Sequence, residues 1–278
     1  MIDFIHQCLF YSHVAIGTVA LFTFWVPVFA VKGGAKHKSV GKIFAWSMYA
    51  VAITGLFMTL IALAMPLQTY DIDPNLPPVR IAEITEQIRL MNSFLFMLSL
   101  LVLNSTHHAL SVVKYKLNRD AMKTTMYLLP IILLGICGIG MAVIGYLKSQ
   151  VLFMVFGGIS ISASFGMLKY IFQREVAHNR WLIEHFSGLI GSGIGAYTAF
   201  FAFGGRRILS HIFVGQLQLI PWIAPAVIGT AFTFWLTRKY QQQAKKVVAL
   251  ASSSRKSEVA NAPLGNEKLN TSAPLSQQ

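Results

Sequence analysis

Seven stretches without a single Asp, Glu, Lys or Arg dominate this chain: residues 4–31, 43–70, 90–113, 124–147, 149–168, 186–205 and 212–237. About 20 mostly apolar residues in a helix cross about 30 Å of hydrocarbon, and a stretch of about 10–14 is the usual length for a buried soluble helix. All seven pass the longer test. The implied fold is all-α: an integral membrane bundle of seven transmembrane helices, with spans near 9–31, 43–65, 91–113, 125–147, 149–170, 182–204 and 213–237 in one domain over residues 1–240. Composition agrees, since only 12% of the residues are charged where a soluble domain carries about 25%.

The net charge of +13 would point to nucleic acid in a soluble protein. Here the basic residues read instead as topology signals and contacts to anionic lipid headgroups, with no nucleic-acid partner. Residues 1–8 lack the basic start of a signal peptide, so the first apolar run is expected to be a retained helix. Cys8 and Cys137 lie at different depths and are not expected to bridge. No CxxC or CxxCH occurs, which removes thiolate zinc sites and covalently attached haem.

Lys and Arg are held on the cytoplasmic side during insertion. The first loop carries Lys32, Lys36, Lys38 and Lys42, the third Lys114, Lys116, Arg119 and Lys123, and the fifth Lys169, Arg174 and Arg180. The even loops carry only Arg80, Arg89, Lys148, Arg206 and Arg207, and the acidic Asp71, Asp73, Glu83 and Glu86 all fall in the second. The N-terminus is therefore expected outside and the C-terminus in the cytoplasm. The second loop (66–89) opens with turn chemistry at Pro66, Asp73-Pro74-Asn75 and Pro77-Pro78. From Val79 to Met91 its apolar residues recur at helical spacing, which predicts a surface helix leading into the third span. From 241 to 278 the composition shifts to Ser, Asn, Lys, Gln and Ala, and a disordered cytoplasmic tail is expected.

Ionisable residues inside a membrane are expensive and mark function. No Asp lies within a span, so histidine carries the question. His13 and His211 fall in an outer layer. His107, His108 and His185 fall in an inner one. Neutral imidazole is the usual axial ligand of b haem, and imidazoles at two depths would let electrons cross the membrane through two haems. The expected ligands are His107 or His108 with His185 for an inner haem, and His13 with His211 for an outer one. Asn104 and Ser111 stand one helical turn from His108 and His107 and could fix their tautomers. Gly17, and the small face Gly188, Ser192, Gly195 and Ala199, would let a flat ring approach a helix backbone. The same face also reads as plain helix packing.

Two further clusters stand out. His178, Glu184 and His185 could converge on a divalent metal with His107 or His108, although the membrane hydrolases that use such sites also carry Asp in their spans. The loop Lys32-Gly33-Gly34-Ala35-Lys36-His37-Lys38-Ser39-Val40-Gly41-Lys42 could hold a phosphate on its amides and lysines, but it lacks the P-loop spacing. A tight hairpin with snorkelling lysines is the favoured reading.

The pattern His13-x3-Gly17, Lys32-Gly33-Gly34-x2-His37-x3-Gly41, then Asn179-Arg180-Trp181-Leu182-Ile183-Glu184-His185 and Ala196-x-Thr198-Ala199-Phe200 resembles a family of bacterial membrane proteins known as a domain of unknown function. The resemblance covers most of residues 10–205. It implies a bacterial inner-membrane protein and no particular activity. The layout also looks loosely similar to two-haem cytochrome b and ferric-reductase membrane domains, with the departure that no helix here carries their paired, widely spaced histidines. The leading expectation is haem-b electron transfer with quinone or a redox protein as partner. The alternatives are a non-catalytic scaffold or small-molecule sensor, its glycine-rich helices serving as homo-oligomer or bundle contacts, and after these a transporter or a metal-dependent hydrolase. Reporter fusions after residues 38, 120 and 175 are expected to signal the cytoplasm, and a fusion after residue 75 the opposite side.

Overall fold

The structure is a computed structural model that describes residues 2–204, 217 and 219–260. Its helices are α1 (Ile2–Phe29), α2 (Ala35–Ala64), the single-turn α3 (Pro66–Thr69), α4 (Pro78–Tyr115), α5 (Thr125–Leu147), α6 (Val151–Phe172), α7 (Arg180–Ala199) and α8 (Ile220–Ala260). A π-helical turn, Phe200–Gly204, prolongs α7. Among the described residues seven helices, all but α3, are long and apolar enough to cross a membrane. The chain is a multi-pass membrane protein of all-α class. The outward side chains say the same: Phe22, Phe29, Met126 and Ile228 are each 70% or more exposed. A soluble surface does not tolerate that on every side, whereas lipid solvates it.

Two hairpins, α1–α2 and α5–α6, flank α4, which also packs on α2 and α7. The α5–α6 pair is close because it is built from small residues. A methyl on Gly157 would sit 2.7 Å from the Gly138 carbonyl and 2.8 Å from the Ala142 nitrogen. Without a hydrophobic drive between helices in lipid, this close van der Waals fit is what associates them. Apolar layers fill the rest. Phe94 and Met97 of α4 pack with Leu134, Met141, Phe153 and Phe156, and Trp222 of α8 joins the rings of Phe94 and Phe156. Phe24 of α1, Phe44 and Met48 of α2 and Tyr197 of α7 form another layer.

The turns at 30–34, 116–124 and 173–179 gather at one end of the bundle, the basic end. Arg119 closes it by donating to the carbonyls of Tyr170 (2.8 Å), Gln173 and Arg174 (3.0 Å). Those carbonyls end α6 and have no partner within the helix. Beside them Lys123 pairs with Asp120 at 2.7 Å, and this hydrogen bond holds the Asp120 carboxyl below its ordinary range.

Several boundaries differ from the sequence reading. α1 begins at Ile2, and the outer surface helix and third span are one continuous helix, α4, of 38 residues. Nothing between Val79 and Met91 breaks it, because the Pro residues sit only at its start, where proline is tolerated. The stretch 241–260, expected to lack regular structure, continues α8 to Ala260. Its Gln, Ala, Lys and Leu are good helix formers, and low hydrophobicity alone does not break a helix already nucleated. Residues 261–278 lie outside the described ones. The chain divides into a unit through Trp235 and a second from Leu236. Gly157→Leu is expected to lower the thermal stability of the detergent-purified protein by about 1–3 kcal/mol through overpacking. Gly158→Ala, where nothing lies within 4 Å, should leave it unchanged.

Candidate functional site

The polar run in the C-terminal third of α4 faces into the bundle. Asn104, Ser105, Thr106, His108 and Ser111 are buried, whereas His107 is exposed. Hydrocarbon supplies no partners, so any partner must come from the protein, and the Thr106 hydroxyl has none. Asn104 donates to Leu100 O (2.9 Å) and to Pro130 O of α5 (3.0 Å). It does not reach His108, contrary to the tautomer-fixing role inferred for it. Both bonds spend its amide on main-chain carbonyls. The partner of His108 is instead the Tyr127 hydroxyl, 2.9 Å from Nδ1, and Ser111 lies beside that hydroxyl as well rather than serving His107. His107 Nδ1 pairs with the Tyr49 hydroxyl of α2 at 3.0 Å.

His108 is 2% exposed. Its Nε2 has no hydrogen-bond partner and stands 3.6 Å from Glu184 Oε2, longer than a hydrogen bond. The other carboxylate oxygen, Oε1, takes both Arg180 Nε (2.7 Å) and Nη2 (2.6 Å). The Tyr170 ring stands edge-on to His108 at 5.5 Å.

A second group lies at the entrance to this end, between α2 and α7. His185 Nδ1 is 2.8 Å from the Ala109 carbonyl of α4. His37 Nδ1 is 3.1 Å from the Pro27 carbonyl of α1. A carbonyl only accepts, so each Nδ1 must carry the proton, and each Nε2 is left as the nitrogen with the free lone pair. The two rings are 6.5 Å apart, centre to centre, inclined at 65°. Lys32 reaches the same α1 end, donating to Pro27 O (2.8 Å) and Val28 O (2.6 Å), and burial lowers its ammonium pKa. The loop motif is therefore a hairpin closure. Gly33 takes the left-handed turn (φ 76°), Gly34 donates to Val31 O (3.0 Å), Gly41 packs on the Pro27 ring, and Lys32 and His37 cap α1. Of the loop's lysines, Lys32 is spent on main-chain carbonyls.

His13 repeats the pattern in the other half of the bundle. Its Nδ1 is 3.0 Å from Thr54 Oγ1, and that hydroxyl already donates to Ala50 O (2.7 Å), so the imidazole is the donor. Its ring lies near Gly55 of α2, and Gly17 faces Val51. His211 lies outside the described residues. His178 is exposed in the 173–179 turn, ahead of α7, and so shares no helix face with His185. Among the described residues no group of three His, Cys, Asp or Glu could hold a metal ion, so the expected convergence of His178, Glu184 and His185 is absent. Arg180 takes up one oxygen of Glu184, and the other faces His108. The small face of α7 is occupied too. A methyl on Gly188 would meet Ser105 O at 2.7 Å and the Ala109 methyl at 2.8 Å, and one on Gly195 would meet Val102 at 2.9 Å. That face is a helix contact with α4, leaving no gap there for a flat ring.

Sequence reasoning placed His107, His108 and His185 at one depth. It missed Tyr49 and Tyr127 as partners of His107 and His108, Arg180 as the partner of Glu184, and the contact of His37 with His185. A tyrosine near a span end reads as an interface anchor, and only the helix neighbours reveal what its hydroxyl meets. Comparison with known families, curated proteins and solved structures finds no match. Tyr127→Phe, which strips the buried His108 Nδ1 of its partner, is expected to destabilise the protein by about 1–3 kcal/mol in thermal unfolding. Tyr49→Phe, beside the exposed His107, should cost less than about 0.5 kcal/mol.

Proposed function

We propose that this chain is a bacterial inner-membrane electron-transfer protein that binds b haem through histidine. Its N-terminus lies outside and its basic end in the cytoplasm, as the Lys and Arg bias favours. The observation that carries the reading is the tautomer of its imidazoles. His13, His37 and His185 each commit Nδ1–H to an oxygen acceptor and leave Nε2 bare. An orienting hydrogen bond on the far nitrogen is what iron and other metals require of a histidine ligand. Haem bound there would supply one-electron chemistry. The chain's own part is to hold the rings in one tautomer and to keep water away with the aromatic and aliphatic layers above. Quinone or a redox protein would exchange electrons at the basic end.

A second reading has support from different residues. His107 and His108 are tied to Tyr49 and Tyr127, as histidines in a non-catalytic scaffold or sensor would be. The readings separate in one measurement. Protein expressed with a haem precursor and purified in detergent is expected to show the Soret and α bands of a b haem in a reduced-minus-oxidised spectrum. A featureless spectrum from folded protein would leave the scaffold.

A further inference from the structure

We propose that His107 and Tyr49, with Trp46 beside them, form a lateral site for the ring of a membrane-soluble quinone that enters from the bilayer. The redox role of that ligand rests on the electron-transfer reading; the site itself does not.

The site begins with a polar pair facing a solvent that offers it nothing. His107 is exposed on α4, although its neighbours Thr106 and His108 are buried, and Tyr49 of α2 is half-buried. Among the described residues their one hydrogen bond is to each other, 3.0 Å between the Tyr49 hydroxyl and His107 Nδ1. His107 Nε2 is left without a protein partner there. His107 precedes Lys114 by seven residues and Tyr49 follows Lys42 by seven. At about 1.5 Å per residue both lie about 10 Å into the span. Phospholipid headgroups stay at the interface, so a partner for Nε2 at this depth must itself dissolve in hydrocarbon. An ionisable side chain inside a membrane normally turns to the bundle interior, and His107 departs from that.

The surroundings specify a flat ring. Trp46 is 71% exposed, and its ring centre lies 5.8 Å from that of Tyr49, with the planes inclined at 49°. Tyr49 is 6.2 Å from His107, and His107 is 5.0 Å from Tyr127. These steps make a continuous aromatic wall, against which a planar ring stacks favourably. Ile53, Phe57 and Leu60 continue the exposed face of α2 away from the basic end. They recur about one turn apart and give an apolar track for an isoprenoid tail.

The pair also suits both redox forms. When the Tyr49 hydroxyl donates to Nδ1, Nε2 carries the proton and donates to a quinone carbonyl. When Nδ1–H donates to the Tyr49 oxygen, Nε2 accepts from a quinol hydroxyl and the Tyr49 O–H is released to donate. Both arrangements are neutral, so neither puts a charge in hydrocarbon. A fatty-acid carboxylate would bring a charge to this depth, and a sterol has no planar π face for the wall.

The test places the full chain in phosphatidylcholine nanodiscs and titrates it with decylubiquinone, reading the quench of Trp fluorescence. His107→Phe and Tyr49→Phe keep a ring and remove the polar atoms. Tyr146→Phe, exposed on α5, is the control. His107→Phe is expected to weaken binding about tenfold and Tyr49→Phe about fivefold, with the control unchanged. Trp46→Phe should remove most of the quench. Haem is read in the same samples from the reduced-minus-oxidised spectrum. Binding to haem-free protein that His107→Phe weakens keeps the site and ends the haem reading. Haem without quinone binding, or binding untouched by either variant, overturns the site and leaves the haem reading. Absence of both overturns both. Oleate that displaces the quinone at equal concentration would make this a fatty-acid site and overturn the proposal. If the variants unfold, wild type is photolabelled with an azidoquinone and digested. Label on residues 46–53 or 103–107 supports the site, and label confined elsewhere sinks it.

Discussion

Hydrocarbon offers no hydrogen bond, and that one property of the solvent organises everything in this molecule. It forces the backbone into helices that satisfy themselves. It lets large apolar side chains face outward without penalty. It also favours a protein partner for each polar side chain that enters the bundle, and most find one, with Thr106, Ser160 and Thr198 hydroxyls left without. The buried run on α4 shows the rule at work. Asn104 turns to Leu100 O and Pro130 O, and His108 takes the Tyr127 hydroxyl. At two turns a cation reaches back to cover open carbonyls, Arg119 at the end of α6 and Lys32 at the end of α1.

The helices themselves associate through shape. Small residues on α5 and α6, and on α7 against α4, bring backbones into direct contact, which is the usual route when burial from water supplies no drive between helices. The α4–α7 contact has a chemical consequence beyond packing. It brings a main-chain carbonyl of one helix against an imidazole of the other, and so selects a tautomer. The same happens where Pro27 ends α1 opposite His37.

Against that arrangement the Glu184–His108–Tyr127 chain plays a different part. Arg180 anchors the carboxylate, and the imidazole bridges α4 to α5 through the Tyr127 hydroxyl. The His108–Tyr127 bond, formed in a low dielectric, fastens α4 to α5 at the basic end. The bare Nε2 of His108 stays short of a hydrogen bond to Glu184.

What the amino-acid sequence determined by itself was the class of fold and the number of long apolar helices. These depend on the free energy of each short stretch in hydrocarbon, a local quantity that a run of Leu, Ile and Phe settles without knowledge of its neighbours. Even the α7 small-residue face was legible as packing. Helix ends were less so, because α4 and α8 run past their apolar cores on residues of good intrinsic propensity. The pairing of side chains was decided only by the tertiary structure. His37 meets His185, and Tyr127 meets His108, because separate helices cross at particular rotations and depths. Those crossings arise from the summed fit of many small contacts between helices, which no single stretch of sequence contains.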